Sequence, residues 1–450
     1  MIDFTSLVTR HAWLALALLA PAGQISGMGL MTAYEAALRH DPVYLAAVAE
    51  NQAGQQFKVI GRAGLLPKLD YRYANSKNKA TLTRPDGAGL PNTSNPEYTS
   101  LSSSFSLRQT LFDLDTFARY RQGLAQTNAS DAQFASQGQE LILRLVTAYT
   151  DVKYGQDQLA LLVAQRNALA EQMRANQMKL EHGEGSKTDV LETEAKLDVA
   201  QAELIETQDQ VSTARYTLAA MIGQDALHLD GLIDGFTARP LIIAVFADWQ
   251  EIANNNNTDI AAGQFAVDLA EAEMKKSLAG YTPRVELNVT YTRSSSETLV
   301  TLEQDSNLRS IGVEVVVPLF SGGRVTAVAR QAAANRDKAK LDLEATISKV
   351  MIELRNQFNA ARSNITKVAA LQKSVNSATL LLQATRQSVQ GGVRVNLDVL
   401  NAQQRLVAAQ RDLAQARYNY LVGLLKLRMV AGILGVDVLH QVAGYFSAGQ

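Results

Sequence analysis

The two longest stretches without proline, 97–239 and 319–450, constrain this chain more than any other feature. All nine prolines lie outside them, at 21, 42, 67, 85, 91, 96, 240, 283 and 318, and glycine is missing from 187–222 and 324–390. A chain that excludes both strong helix breakers for so long is built to be helical. Within the first stretch Val190, Leu197, Leu204, Val211 and Leu218 recur every seven residues, with Thr193, Ala200, Thr207, Ala214 and Met221 three positions further on. The same seam returns as Val399, Leu406, Leu413, Tyr420 and Leu427, accompanied by Ala402, Ala409, Ala416, Gly423 and Val430. Heptads of this kind pack knobs into holes, and the mostly small residues at alternate seam positions let neighbouring axes come close.

The repetition extends beyond the seam. Glu35, Pro67 and Leu69 match Glu251, Pro283 and Val285 at a shift of 216, Leu111-Phe112 matches Leu319-Phe320 at 208, and Gly183, Asp189, Val190, Leu191 and Gly223 match Gly392, Asp398, Val399, Leu400 and Gly432 at 209. One unit of about 210 residues therefore occurs twice. The first covers 30–223, with strands over 68–83 and 98–112, a long helix over 113–182 and a return helix over 188–222. The second covers 249–432, with strands over 284–292 and 310–319, a long helix over 324–390 and a return helix over 396–430. Between them lies a linker, 224–248, and after them a tail, 433–450.

Helix lengths suggest how each unit packs. The helix over 113–182 would reach about 105 Å at 1.5 Å per residue, whereas helices over 32–65 and 188–222 reach about 50 Å each. The second half repeats this, with short helices over 249–281 and 396–430 beside the long one. Two short helices stacked end to end beside one long helix make a rod.

The strands alternate. Val285, Leu287, Val289 and Tyr291 share one face and Arg284, Glu286, Asn288, Thr290 and Thr292 the other; Ile311, Val313, Val315, Val317 and Leu319 continue the pattern in the partner strand. The first unit is in phase, with Leu69, Tyr71 and Tyr73, then Leu101, Phe105, Leu107 and Leu111. Strands of about ten residues with one apolar face, joined by polar loops (84–97 and 293–309), suit an outer-membrane barrel. Four strands cannot close one when about eight is the minimum, so an inserted sheet needs several chains.

The N-terminus reads as an export signal over 1–29: Arg10 and His11, an apolar run from Ala12 to Ala20, then Ala22, Gly23, Ser26 and Gly27. Cleavage is expected between Ala22 and Gly29. No later segment has 18 consecutive apolar residues. The 43 Lys and Arg against 44 Asp and Glu leave a net charge of -1, which offers nothing to nucleic acid, and the absence of Cys excludes disulfides, thiolate sites and Cys-linked lipid anchors. The five histidines lack metal-ligand spacing, no G-x-S-x-G turn is present, and Asp113 and Asp115 read better as a helix cap than as metal ligands. Neither an enzyme nor a cofactor site is expected.

Two strand-to-helix corners, Gln109-Thr-Leu-Phe112 and Val317-Pro-Leu-Phe320 followed by Ser-Gly-Gly-Arg324, join two turn motifs, His182-Gly-Glu-Gly-Ser-Lys-Thr-Asp-Val-Leu191 and Gly391-Gly-Val-Arg-Val-Asn-Leu-Asp-Val-Leu400, and a run from Ala408 to Leu427. In this order the chain resembles the TolC family of outer-membrane factors. The resemblance implies a mainly α fold with a small β part: a tandem unit of long coiled-coil helices with four transmembrane strands per protomer. Three protomers would form a 12-stranded barrel in the outer membrane of a Gram-negative bacterium and a 12-helix tunnel across the periplasm, with the linker and tail as an equatorial girdle. It implies a passive duct recruited by a periplasmic adaptor and an inner-membrane transporter, most like the members serving ABC-type (type I) protein secretion. The alternatives are a multidrug efflux channel and a periplasmic adaptor or scaffold. An adaptor needs one hairpin flanked by lipoyl-like β segments, whereas two hairpins are fused here.

By the same resemblance Asp398 falls on a constricting acidic position at the periplasmic tip, Arg394 on a gate-bridging basic one, and Thr188 and Asp189 on their partners in the first repeat. Gly183, Gly185, Gly391 and Gly392 mark the turn tips for adaptor contact. Asn401 stands where a second acidic residue would be, and Val389 where a tyrosine would be, which implies one acidic ring and a weaker latch. The alternative for Thr188, Asp189 and Asp398 is a helix-start role.

Overall fold

A computed structural model describes residues 28–226, 228–296 and 304–447; the export signal lies outside them except for Met28 and Gly29. The first repeat runs α1 (Leu30–His40), α2 (Pro42–Gly54), α3 (Gln56–Ala63), β1 (Lys68–Lys79), β2 (Leu82–Pro85), β3 (Pro91–Ser94), β4 (Glu97–Phe112), α4 (Leu114–Glu181) and α5 (Lys187–Ile222). A short strand β5 (Gly231–Leu232) lies in the linker. The second repeat runs α6 (Phe246–Asn256), α7 (Thr258–Leu278), β6 (Arg284–Ser296), β7 (Gln304–Val316), α8 (Arg324–Gln390) and α9 (Asn396–Val430), followed by α10 (Val436–Ala443) and β8 (Phe446–Ser447).

The single helix expected over 32–65 is three. It breaks first at Asp41, whose carboxylate accepts from the Val43 amide at 3.0 Å, while Pro42 occupies the first helical turn, where its missing N–H costs nothing. The helix expected over 249–281 breaks at Asn257, which accepts from the Asp259 and Ile260 amides. Asp41 and Asn257 stand 216 residues apart, the shift of the duplication itself. Apolar content hides both breaks, since a capped restart leaves the seam intact.

The strands also differ from expectation. β1 stops at Lys79, and the end of the strand expected to 83 turns instead into a small ladder with the loop, in which Leu82 pairs with Ser94 and Thr83 with Thr93. β7 begins six residues earlier than 310 and ends at Val316 rather than 319. Pro318 has no N–H to give a ladder, so the apolar alternation outlasts the pairing. β6 continues beyond 292 to Ser296.

Helix α4 packs on α2 and α3 over its first half and on α5 over its second; α8 packs likewise on α6 and α7, then on α9. Contacts of α4 with α7 and α9 join the repeats. Close approach needs glycine: a Cβ on Gly123 of α4 would run into the Phe57 backbone of α3. The main core lies midway along the rod, where Leu141, Leu145, Tyr149 and Val152 of α4 meet Leu218 of α5, Tyr420 and Leu421 of α9, and Leu439 and Phe446 of the tail. Each such side chain contributes about 1.5–3 kcal/mol. Here the linker and tail pair, Leu232 with Phe446 in the β5–β8 ladder. Among the described residues no helix is long and apolar enough to cross a membrane.

Candidate functional site

The rod has two specialised ends. At one, all four long strands form an antiparallel sheet ordered β1-β4-β6-β7, with β4 and β6 joining the repeats at its centre. The register stacks like with like. Leu69, Leu107, Val289 and Ile311 lie in one row, and Tyr71, Phe105 and Tyr291 in the next row of the same face. Leu287 with Val313 and Val285 with Val315 extend this band toward the helices. The opposite face carries Asp70, Ser106, Thr290 and Ser310 in register, then Thr110, Glu286 and Glu314. From Val285 to Tyr291 the apolar band covers about 20 Å of strand. None of its side chains is buried in a single chain: on the edge strands Leu69 is 69% and Ile311 77% exposed, and on the central strands Leu107 and Val289 are half-buried. β1 and β7 are both unpaired along their outer edges. Long, apolar, open edges of this kind do not persist in water.

At the other end two tight turns close the helical hairpins, and both are built alike. After α4 the Glu184 amide reaches back to the Lys179 carbonyl and Gly183, at φ 75°, donates to Leu180. After α8 the Val393 amide reaches Ser388 and Gly392, at φ 74°, donates to Val389. This pairing satisfies the last carbonyls of each helix and requires a left-handed residue, which glycine supplies without strain. The two starts that follow differ. Ser186, not Thr188 or Asp189, caps α5 by accepting the Thr188 amide at 3.1 Å, while Val395 gives α9 no side-chain cap. Asp189 and Asp398 instead sit in the first turns of their helices, where a negative charge meets the positive end of the helix dipole.

Asp189, Gly185 and Arg394 line one cleft between the two tips, together with Glu171, Lys179 and Arg386. Asp398 is half-buried in the first turn of α9, and Thr188 and Asn401 are exposed. Among the described residues Asp189, Asp398 and Arg394 form no ion pair with one another or with any other group. The contacts that cross between hairpins come from elsewhere. Lys196 of α5 donates to Asn401 at 3.3 Å and to Gln404 at 2.9 Å, and Gln172 of α4 donates to Asn396 at 3.1 Å. Further up the rod the Tyr418 hydroxyl donates to Asp157 at 2.6 Å; burial, with the adjacent carboxylate, pushes that hydroxyl well above the usual phenol range.

Inside the first hairpin is a clasp that motif matching does not find. The Asn176 side chain, almost fully buried, donates to the Thr193 hydroxyl at 2.9 Å and to the Asp189 carbonyl at 3.2 Å, and its own oxygen accepts from Gln172. The signal was present in the sequence: Leu162, Leu169 and Asn176 continue a heptad along α4, and all three are buried. A polar residue in such a seam fixes its register.

Both ends have known counterparts. The sequence profile of the outer membrane efflux protein family matches residues 33–224 and 249–433. The chain belongs to that family. It is 38% identical over 425 residues to the alkaline protease secretion protein AprF of Pseudomonas aeruginosa, covering 94% of this chain and 88% of that one. It is 37% identical over 433 residues to the proteases secretion protein PrtF of Dickeya chrysanthemi, covering 95% and 93%. The outer membrane channel CmeC of Campylobacter jejuni superposes with a TM-score of 0.78 at 16% identity, covering 98% of each chain. As a member of the efflux family the chain is an outer-membrane channel protein.

Proposed function

We propose that three copies of this chain close into one duct, twelve strands in the outer membrane and twelve helical columns below, serving as the exit of a type I system that exports proteins. One observation carries the reading. In the sheet the open edges are β1 of the first repeat and β7 of the second; in the helical layer the column order is α5, α4, α9, α8, so its open sides again belong to the first and second repeats. Both layers thus expose the same pair of unlike sides, the condition for head-to-tail closure into a ring. Three copies of a four-stranded sheet give a barrel of ordinary size. Two relatives named for protease secretion, at 38% and 37% identity, favour exoproteins as cargo over small drugs. The partners are then an inner-membrane ABC exporter and a periplasmic adaptor, the latter meeting the turn tips at Gly183, Gly185, Gly391 and Gly392. The duct is passive and has no catalytic step.

At the tip, three symmetry-related Asp398 carboxylates would form a cation-attracting constriction. Among the described residues Arg394 has no acidic partner, which supports a latch to Thr188 and Asp189 of a neighbouring chain. Deleting the gene should abolish release of a protease to the medium, and the wild-type protein should migrate as a heat-modifiable trimer extracted from the outer membrane only by detergent. Recovery as a soluble periplasmic monomer overturns the reading. For the constriction, Asp398→Ala should raise single-channel conductance and relieve block by divalent cations; unchanged traces reject the assignment.

A further inference from the structure

The apolar face of the sheet changes character toward its loops. Above the row of Leu69, Leu107, Val289 and Ile311 comes a row of Tyr71, Phe105, Tyr291 and Arg309, and above that one of Tyr73, Ser103, Arg293 and Asn307. Tyr71 and Phe105 stack with ring centroids 4.6 Å apart, and the Arg309 guanidinium lies over the Tyr291 ring at 5.6 Å. Both arginines are exposed. They share the face of the apolar band, not that of Asp70, Glu286 and Glu314. The acidic residues on their own face stand further out: Asp305 opposite Ser295, one row beyond, and Glu97, paired with Lys79 at 2.6 Å. Moving outward from the helices, the surface therefore reads aliphatic, aromatic, cationic.

A lipid-facing strand has no use for a guanidinium in hydrocarbon, where it costs about 2–4 kcal/mol at the bilayer midplane and much less at the interface. Amphipathic rings mark the headgroup boundary. Arg309 in the row of the rings and Arg293 in the row beyond it stand at that boundary, where headgroup phosphates lie, and a planar guanidinium offers a phosphate two parallel donors.

We infer that Arg293 and Arg309, with Tyr291 beside them, form a headgroup site on the outside of the barrel for a phosphate-bearing lipid of the outer leaflet, one per protomer. This rests on the membrane reading above. The aliphatic rows beneath the arginines accept acyl chains, which distinguishes a lipid from free phosphate.

The test is native mass spectrometry of the purified full-length oligomer in neutral detergent, with added diphosphorylated lipid A or its dephosphorylated form. Wild type should retain the phosphorylated lipid and release the dephosphorylated one, and excess inorganic phosphate should not displace it. Arg293→Gln with Arg309→Gln should weaken retention by about 10- to 30-fold, the effect of two surface cations each worth roughly fivefold. Arg293→Lys with Arg309→Lys should recover part of it, and Arg72→Gln on the opposite face should change nothing. Equal retention by the Gln double variant, or of the dephosphorylated lipid, overturns the site while leaving the duct intact. A chain recovered without detergent overturns the duct and the site together.

Discussion

Asn176 shows how one residue can serve a structure at some expense in stability. It places an amide in an otherwise apolar seam, where Leu162 and Leu169 precede it at heptad spacing, and satisfies that amide with Thr193, the Asp189 carbonyl and Gln172. The equivalent position of the second repeat is Thr385, whose hydroxyl bonds only to Leu381 in its own helix, and Thr193 is answered there by Ala402. The two hairpins are therefore held differently at their tips. Asn176→Ala should loosen the first hairpin by about 1–3 kcal/mol, because Gln172 loses one of its two acceptors and a void opens beside Thr193. Thr385→Ala should cost well under 1 kcal/mol by the same reasoning. Amide hydrogen exchange over the last turns of α4 and α8 distinguishes them; equal effects would show that the clasp does not hold the hairpin. Thr193 is visible as a seam residue in the sequence, but its bond is not, since a heptad records which side faces the neighbour and not what the neighbour offers.

At the scale of elements, the duplication is more faithful than sequence identity suggests. Both short upper columns are cut at the same point, by Asp41 in one repeat and Asn257 in the other. Each caps the helix that follows, and each has a second partner. The Asp41 carboxylate meets Arg144 of α4 at 2.7 Å, and the Asn257 amide donates to the Val430 carbonyl at the end of α9 at 2.8 Å. The cut thus fastens each upper column to a different helix. Asp41 is almost wholly buried, so Asp41→Asn should preserve the cap but leave Arg144 with only the looser Glu140 carboxylate at 3.8 Å, costing about 1–3 kcal/mol. Asp41→Ala adds the loss of the cap, about another 1 kcal/mol. Denaturation of the two variants should give that order, and equal values would mean the cap is idle. Pro42 made one break legible in principle; nothing comparable marks Thr258, and a sum of helix lengths passes over both.

For the whole molecule, the sheet is the decisive part. Adjacent residues of β7 face opposite surroundings: Ile311 lies in the row of Leu69, Leu107 and Val289, and Ser310 in that of Asp70, Ser106 and Thr290. Ile311→Arg should cost about 2–4 kcal/mol per protomer in a membrane barrel, whereas Ser310→Arg should be tolerated in a polar lumen. Outer-membrane yield of heat-stable oligomer measures both. Equal tolerance would mean that neither face meets lipid, and that the bare surface at Ile311 is covered in some other way.

The sequence by itself determined the duplicated unit, the long helices, the turns with their paired glycines and the two-faced strands. Each depends on periodicity or on backbone freedom, which neighbouring residues carry without help from distant ones. Tertiary structure decided which strand lies beside which, that β4 and β6 meet at the centre while β1 and β7 stay open, and which polar side chains find one another across the hairpins. Those choices pair groups as distant as Gln172 and Asn396, 224 residues apart. They are fixed by the register of packed helices and strands, a property of the folded chain that no local pattern encodes.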